Sequence, residues 1–197
     1  MLFTASMFAL KSLFLTDVSN KTNPSTTKDK FCFSTAVALR NMISPPIDKY
    51  DQGVYLSEAV TKNIKVKLET PFWGLSHMYG ASIIKSTQTP KGNKKLLEHA
   101  GLLEYLPNTR AWDQPKDQEI GFKVLHPVFS QSACTTSSAF TFQAATANNT
   151  LTITNSWQRS TFETREKADK MLAEMRRIML EAAEKEDYSF RDSLANA

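Results

Sequence analysis

The chain has 197 residues, of which 41% are hydrophobic and 22% are charged, and these values are ordinary for a globular protein. A chain of this length buries a substantial core without disulfides or metal ions. The formal net charge of +4 comes with scattered lysines, so we do not expect nucleic-acid binding. Cys32 and Cys134 lie in apolar stretches, which indicates buried, reduced thiols in a cytoplasmic protein.

The first element is the apolar segment at residues 1–15. Its apolar positions approximate one helical face, which predicts an amphipathic or buried helix. A secretory signal is the alternative, but no basic residue precedes the segment, Lys11 interrupts it, and no cleavage site of small residues follows promptly. The segment is also too short to span a membrane.

Between this helix and residue 100 the sequence predicts one strand and two further helices. Residues 16–30 are polar and predict a surface connection, whereas residues 31–40 are apolar on both sides, as in a strand buried within a sheet. Residues 41–53 contain prolines and a glycine, which predict an irregular excursion. A helix is expected after Pro71, and another over residues 93–100.

The second half of the sequence begins with a loop-rich region through Pro107, Trp112 and Pro115. Three strands are expected after it, over residues 120–124, 139–147 and 151–157. The last two strands flank a pair of asparagines, which tolerate positive φ, so they should form a hairpin.

The closing helix is the clearest element of the sequence. Ser160 and Glu163 fit a capping box at its start, and apolar residues then recur at spacings of three and four. After Tyr188 the sequence predicts a flexible tail. The fold class expected from all these elements is α+β, with one lobe over residues 1–187 and the tail over residues 188–197. In this lobe, helices cover one side of a mixed, mostly antiparallel sheet, and the amphipathic helix closes the chain.

Three stretches carry a resemblance to a known family. They are FSTAVALRNMISPP at residues 33–46, PFWGLSHMYGASI at residues 71–83, and FTFQAATANNTLTITNSW at residues 140–157. Their order resembles the C-terminal lobe of the chloramphenicol-acetyltransferase-like acyltransferases, in the condensation-domain and fungal alcohol-acetyltransferase branch. The first resembles the family's strand ending in Leu-Arg, the second its aromatic helix, and the third its final hairpin.

The histidines depart from this family's pattern. The family's N-terminal lobe carries a His-His-x-x-x-Asp-Gly segment, whose second histidine removes the proton from the acceptor alcohol or amine. A positioned imidazole suits that step because its pKa lies near the working pH. This chain has only His77, His99 and His126, and none of them has the neighbours that the segment requires. No catalytic residue can therefore be assigned.

Four residues are candidates for ligand binding on this resemblance: Trp73, His77, Asn108 and Trp112. The aromatic helix borders the cavity that the family forms between its lobes, and loops on rigid scaffolds often line sites. Three of them also have a structural alternative: His77 as a hydrogen-bonded histidine, Asn108 as a turn residue and Trp112 as an anchoring aromatic. A metal site is not expected because the histidines and cysteines are widely separated.

Two functions are compatible with these observations. The first is an acyltransferase-derived lobe that binds or transforms a hydrophobic polyketide or terpenoid in secondary metabolism. It would act either with acyl-CoA and a partner lobe, or as a cyclase that confines its substrate. The second is a non-catalytic module that pairs with a separate N-terminal lobe to complete or regulate an acyltransferase. Because an isolated lobe would expose an apolar face, a homodimer or such a partner is expected.

Overall fold

The computed structural model describes residues 1–18, 30–40, 42–43, 56–100, 128, 138–147, 149–162 and 164–195, without the side chains of residues 14–18 and 98–100. Its elements, in chain order, are α1 (Leu2–Val18), β1 (Phe31–Ala38), β2 (Leu56–Ile64), α2 (Phe72–Gln88), α3 (Pro90–Ala100), β3 (Phe140–Ala147), β4 (Thr150–Trp157), α4 (Arg165–Glu184) and α5 (Phe190–Ala195). The irregular excursion over residues 44–53, the loop from Pro107 to Pro115, the strand at residues 120–124 and Cys134 lie outside the described residues.

The chain divides into two compact units. Unit 1 comprises Met1–Asp113 and Met175–Ala197, and unit 2 comprises Gln114–Glu174, so the division falls within α4. The sequence predicts a single lobe over residues 1–187. Its α+β class is confirmed, and both described sheets are antiparallel and two-stranded, one of β1 and β2 and the other of β3 and β4.

Helix α1 lies in the core of unit 1. All eight residues from Phe3 to Leu10 are buried, which is the buried form of the predicted helix. Phe8 packs edge-to-face on Phe72 of α2 and on Phe190 of α5, with ring centroids 5.9 and 5.1 Å apart. The Thr4 hydroxyl lies 2.7 Å from that of Ser76. Buried polar groups need hydrogen-bond partners, and this pairing supplies one to each of the two hydroxyls.

The β1 strand ends at Ala38, and Cys32 within it is exposed. The predictions of a strand buried on both sides and of a buried Cys32 are therefore wrong, because a two-stranded sheet leaves one face uncovered. Its partner β2 was not predicted. The pairing of Phe31 with Ile64 and of Phe33 with Thr61 leaves an extra residue in β2, and Asn63 takes a φ of 60° there.

Helices α2 and α3 follow each other with a single residue, Thr89, between them. The predicted start of α2 after Pro71 is confirmed, and α3 begins three residues earlier than expected. At the junction, a Cβ atom on Gly92 would lie 2.4 Å from the carbonyl oxygen of Ser86 and 2.5 Å from that of Lys85. Glycine is therefore required for this close approach of α3 to the last turn of α2.

In unit 2 the predicted hairpin is confirmed. β3 and β4 pair from Phe140 opposite Trp157 to Ala147 opposite Thr150, and Asn149 in the turn has a φ of 59°. The predicted capping box is wrong, since α4 begins at Arg165 and Ser160 lies in a turn before Phe162, which is buried.

The C-terminal residues are ordered by several contacts and differ from the predicted flexible tail. Tyr188 and Phe190 are buried, and α5 begins at Phe190. Asp192 accepts hydrogen bonds from the Ser189 backbone N–H at 2.8 Å and from the Lys185 ammonium at 2.7 Å. These bonds, with the Lys185 bond the strongest cause, hold the pKa of Asp192 well below its usual range.

We predict that Gly92→Ala destabilises the protein by about 1–3 kcal/mol, because the new methyl group meets two backbone carbonyls that cannot move aside. Gly80→Ala is the matched control, since a Cβ there meets nothing within 4 Å in the interior of α2. It should stabilise the protein by about 0.5–1 kcal/mol. Urea unfolding followed by circular dichroism measures both. Equal midpoints for the two variants would contradict this account of the junction.

We predict that Asp192→Ala lowers stability at neutral pH. A depressed carboxylate pKa contributes stability above the unfolded-state value of about 4 and loses it as the pH falls below that value. The difference between wild type and variant in unfolding midpoint should therefore narrow from pH 7 to pH 3. Asp187→Ala is the control, since that carboxylate lies 4.0 Å from Lys185 and is largely exposed. A constant difference across the pH range would argue against the proposed cause.

Candidate functional site

The structure describes two of the four residues predicted to bind ligand. Trp73 and His77 lie one turn apart on α2, whereas Asn108 and Trp112 lie outside the described residues. Trp73 is partly buried, and its indole N–H donates a 3.0 Å hydrogen bond to the carbonyl oxygen of Ala182 in α4. This bond uses the indole's one donor to join two helices of unit 1. The His77 side chain is exposed. Ligand binding by these residues stays a prediction.

Two observations on the described residues bear on acid–base and metal chemistry. Tyr79 stacks on Phe3 and hydrogen-bonds to the Thr35 hydroxyl. Burial raises the pKa of this phenol, so at neutral pH it stays protonated and cannot serve as a base. No cluster of three or more histidine, cysteine, aspartate or glutamate side chains suited to a metal ion occurs in the described part of the chain.

The hairpin of β3 and β4 in unit 2 has two chemically different faces. Successive side chains on a strand point to opposite faces, so the register assigns each residue to one of them. One face carries hydroxyl, amide and small side chains: Thr141, Gln143, Ala145, Ala147, Thr150, Thr152, Thr154 and Ser156. The other, which we call the apolar face, carries Phe140, Phe142, Ala144, Thr146, Leu151, Ile153, Asn155 and Trp157.

Exposure changes along the apolar face. Near the start of α4, Phe162 packs edge-to-face on Phe140 and on Trp157, with ring centroids 5.0 and 6.2 Å apart. Toward the turn, Leu151 is 58% exposed. Phe142 is partly exposed between these two ends. The apolar face therefore joins a packed aromatic cluster to open apolar surface.

Asn155 is the one amide on this apolar face. It lies opposite Phe142 on β3. Its side-chain Oδ1 and Nδ2 atoms are both buried and have no hydrogen-bond partner. Gln143, on the opposite face, accepts a 3.1 Å hydrogen bond from the Thr154 hydroxyl. The amides of the two strands thus differ, since Gln143 has a hydrogen-bond partner within the hairpin and Asn155 has none.

An unpaired carboxamide in apolar surroundings can form hydrogen bonds with a ligand, but it cannot serve as an acid or a base. It offers two N–H donors and one carbonyl acceptor, and it does not ionise at physiological pH. Pockets for small molecules combine apolar and aromatic walls with a few such polar groups that fix the ligand's orientation. We therefore take the apolar face, with Asn155 at its polar point, as the candidate site. Sequence analysis missed it, although the alternation in residues 140–157 assigns Asn155 to the aromatic side once the hairpin register is known.

Comparisons with family models, with curated proteins and with solved structures find no match to this chain. The acyltransferase resemblance therefore rests on the order of the three sequence stretches. Among the described helices, none combines the length and the apolar character needed to cross a bilayer.

We predict that Trp73→Phe lowers stability by about 0.5–1.5 kcal/mol, because it removes the hydrogen bond to Ala182 while keeping an aromatic ring. His77→Ala, one turn away on the exposed side, should change stability by less than about 0.5 kcal/mol. Thermal unfolding of both variants provides the test. A larger loss for His77→Ala than for Trp73→Phe would show that the exposed imidazole has a structural role.

Proposed function

We propose that this chain is an acyltransferase-derived lobe that binds a hydrophobic small molecule of polyketide or terpenoid type on the apolar face of the β3–β4 hairpin. The observation that carries the proposal is Asn155, a buried carboxamide with both polar atoms unpaired beside Phe142. A ligand with one hydroxyl or carbonyl group would pair with that amide, and its hydrocarbon part would cover the aromatic side chains.

The energetics of the site support binding. A buried polar group without a partner destabilises the free protein by about 1–3 kcal/mol. A ligand that forms a hydrogen bond with this group removes the penalty in the complex. Apolar area covered by the ligand adds about 25 cal/mol per Å2. Specificity comes from the amide, because a ligand without a hydrogen-bonding group leaves Asn155 unpaired in the complex as well.

In this proposal the chain supplies binding and not the proton transfer of an acyltransferase. Acyl transfer from acyl-CoA would need a partner lobe that contributes the base. A cyclase that acts by confining its substrate would need only the apolar surface. We place the protein in the cytoplasm, and the free thiol of Cys32 is compatible with a reducing compartment.

The second candidate function is a non-catalytic module that pairs with a separate N-terminal lobe or with a second copy. The specific observation in its favour is exposed apolar surface on α2, where Met78 is 44% exposed and Ile84 is 54% exposed. Co-expression with a protein that carries the missing histidine segment distinguishes this function from ligand binding. This function requires a stable complex between the two chains, whereas ligand binding by Asn155 requires none.

We predict that wild-type protein binds farnesol at least about tenfold more tightly than farnesene, a hydrocarbon of the same skeleton without the hydroxyl group. Asn155→Leu should remove that preference and stabilise the free protein by about 1–3 kcal/mol, because it replaces an unpaired amide with an apolar side chain of similar size. Calorimetric titration and thermal unfolding measure the two effects.

Gln143→Met is the matched control, since it also replaces an amide with an apolar side chain. It breaks the hydrogen bond to Thr154 on the opposite face, so it should destabilise the free protein and keep the preference for farnesol. Loss of stability in Asn155→Leu would sink the proposal, and so would equal affinities of the wild type for the two ligands.

A further inference from the structure

The helices α2 and α3 form a surface that combines apolar and cationic side chains. We call it the α2–α3 surface and define it by Ile84, Lys85, Lys91, Lys94, Lys95 and Leu97. All six residues are exposed, Ile84 by 54% and Leu97 by 41%. The candidate site in unit 2 shares none of them.

The packing of α3 determines which of its residues face outward. Leu96 is buried in a cluster with Val37, Leu39 and Ala59, and its carbonyl oxygen accepts a 2.7 Å hydrogen bond from the Ser57 hydroxyl. At the spacing of an α-helix, Lys91 and Lys94 lie on the side opposite Leu96. Lys95 and Leu97 flank that side.

Helix α2 presents its exposed side beside these lysines. Leu75 and Tyr79 are buried, whereas Ile84 and Lys85 in the following turns are exposed. Because Gly92 lies against the backbone of Lys85 and Ser86, the last turn of α2 adjoins the first turn of α3. The turn that carries Lys85 therefore lies next to the turn that carries Lys91.

Most of the protein's formal net charge lies on these two helices. Residues 72–100 contain four lysines and one acidic residue, Glu98, so they carry +3 of the formal net charge of +4. The lysines that appear scattered in the sequence are thus concentrated, in excess over acidic groups, on two consecutive helices.

Helix stability explains Lys85 but not Lys91. Lys85 lies in the last turn of α2, where the helix dipole favours a cation. Lys91 lies in the first turn of α3, where the dipole disfavours a cation, and this turn has no acidic residue. An external anionic surface would compensate for this arrangement.

We propose that the α2–α3 surface docks the protein on anionic phospholipid bilayers. Lysines attract acidic headgroups, and exposed aliphatic side chains such as Ile84 and Leu97 enter the boundary between headgroups and acyl chains. Nucleic acid would satisfy the lysines but would leave both aliphatic side chains against a charged backbone, and the surface has no arginine or aromatic side chain for bases. An anionic bilayer offers partners to both the lysines and the aliphatic side chains of the α2–α3 surface.

Sedimentation with vesicles tests this proposal on the full chain. Wild-type protein should bind vesicles of phosphatidylcholine mixed with phosphatidylserine, should not bind pure phosphatidylcholine, and should be released by high salt. Lys91→Gln with Lys95→Gln should lower the affinity roughly 30-fold. Ile84→Ser with Leu97→Ser should lower the affinity at low salt, where the wild type binds, without any change in charge.

The control is a double variant that loses the same charge on a different helix. Lys170→Gln with Arg176→Gln changes two exposed residues of α4 and should alter vesicle affinity by less than about threefold. Circular dichroism confirms that each double variant is folded. The proposal is overturned if neutral vesicles bind equally well or if the two pairs of charge variants behave alike. It is also overturned if duplex DNA binds as tightly as anionic vesicles and the aliphatic variant leaves both affinities unchanged.

Discussion

Burial of the first helix is the constraint on which unit 1 depends. Eight consecutive residues of α1, from Phe3 to Leu10, lie inside the unit, so several other elements must cover this helix. Phe72 of α2 and Phe190 of α5 pack on its Phe8. A helix that is apolar all round is stable in water only when it is enclosed, because its burial offsets the entropy of ordering the surrounding chain. The ordered C-terminus is one consequence, since α5 supplies part of that cover.

The sequence predicts elements well where local chemistry decides the structure. Pro71 starts α2, and the asparagine turn joins β3 to β4, because both depend on backbone preferences of single residues. The strand β2 escaped prediction because its larger apolar residues, Leu56 and Val60, point outward while Ser57 and Ala59 are buried. Except for Ile64, the larger apolar side chains of β2 are therefore not its buried ones. The burial of small residues in their place depends on tertiary packing, which the local sequence does not show.

The candidate site depends on tertiary structure in a similar way. Trp73 and His77 were predicted to bind ligand because the resemblance places their helix beside the cavity between the family's lobes. Binding also depends on whether a group's hydrogen-bonding capacity is already used. The indole of Trp73 is paired within the fold, whereas the amide of Asn155 is not. An asparagine in a strand has no distinctive sequence signal, so only the structure reveals its missing partners. The acyltransferase resemblance predicts a hydrophobic ligand, and we propose the apolar face as its binding site.

The central claim is that Asn155 has unpaired bonding capacity that a ligand uses, and its side-chain amide signals in a nitrogen–proton correlation spectrum test this most directly. The signals can be assigned by their absence in the leucine variant. We predict that farnesol shifts both amide protons, whereas farnesene leaves them unchanged. Amide signals that saturating farnesol leaves unshifted would contradict the account.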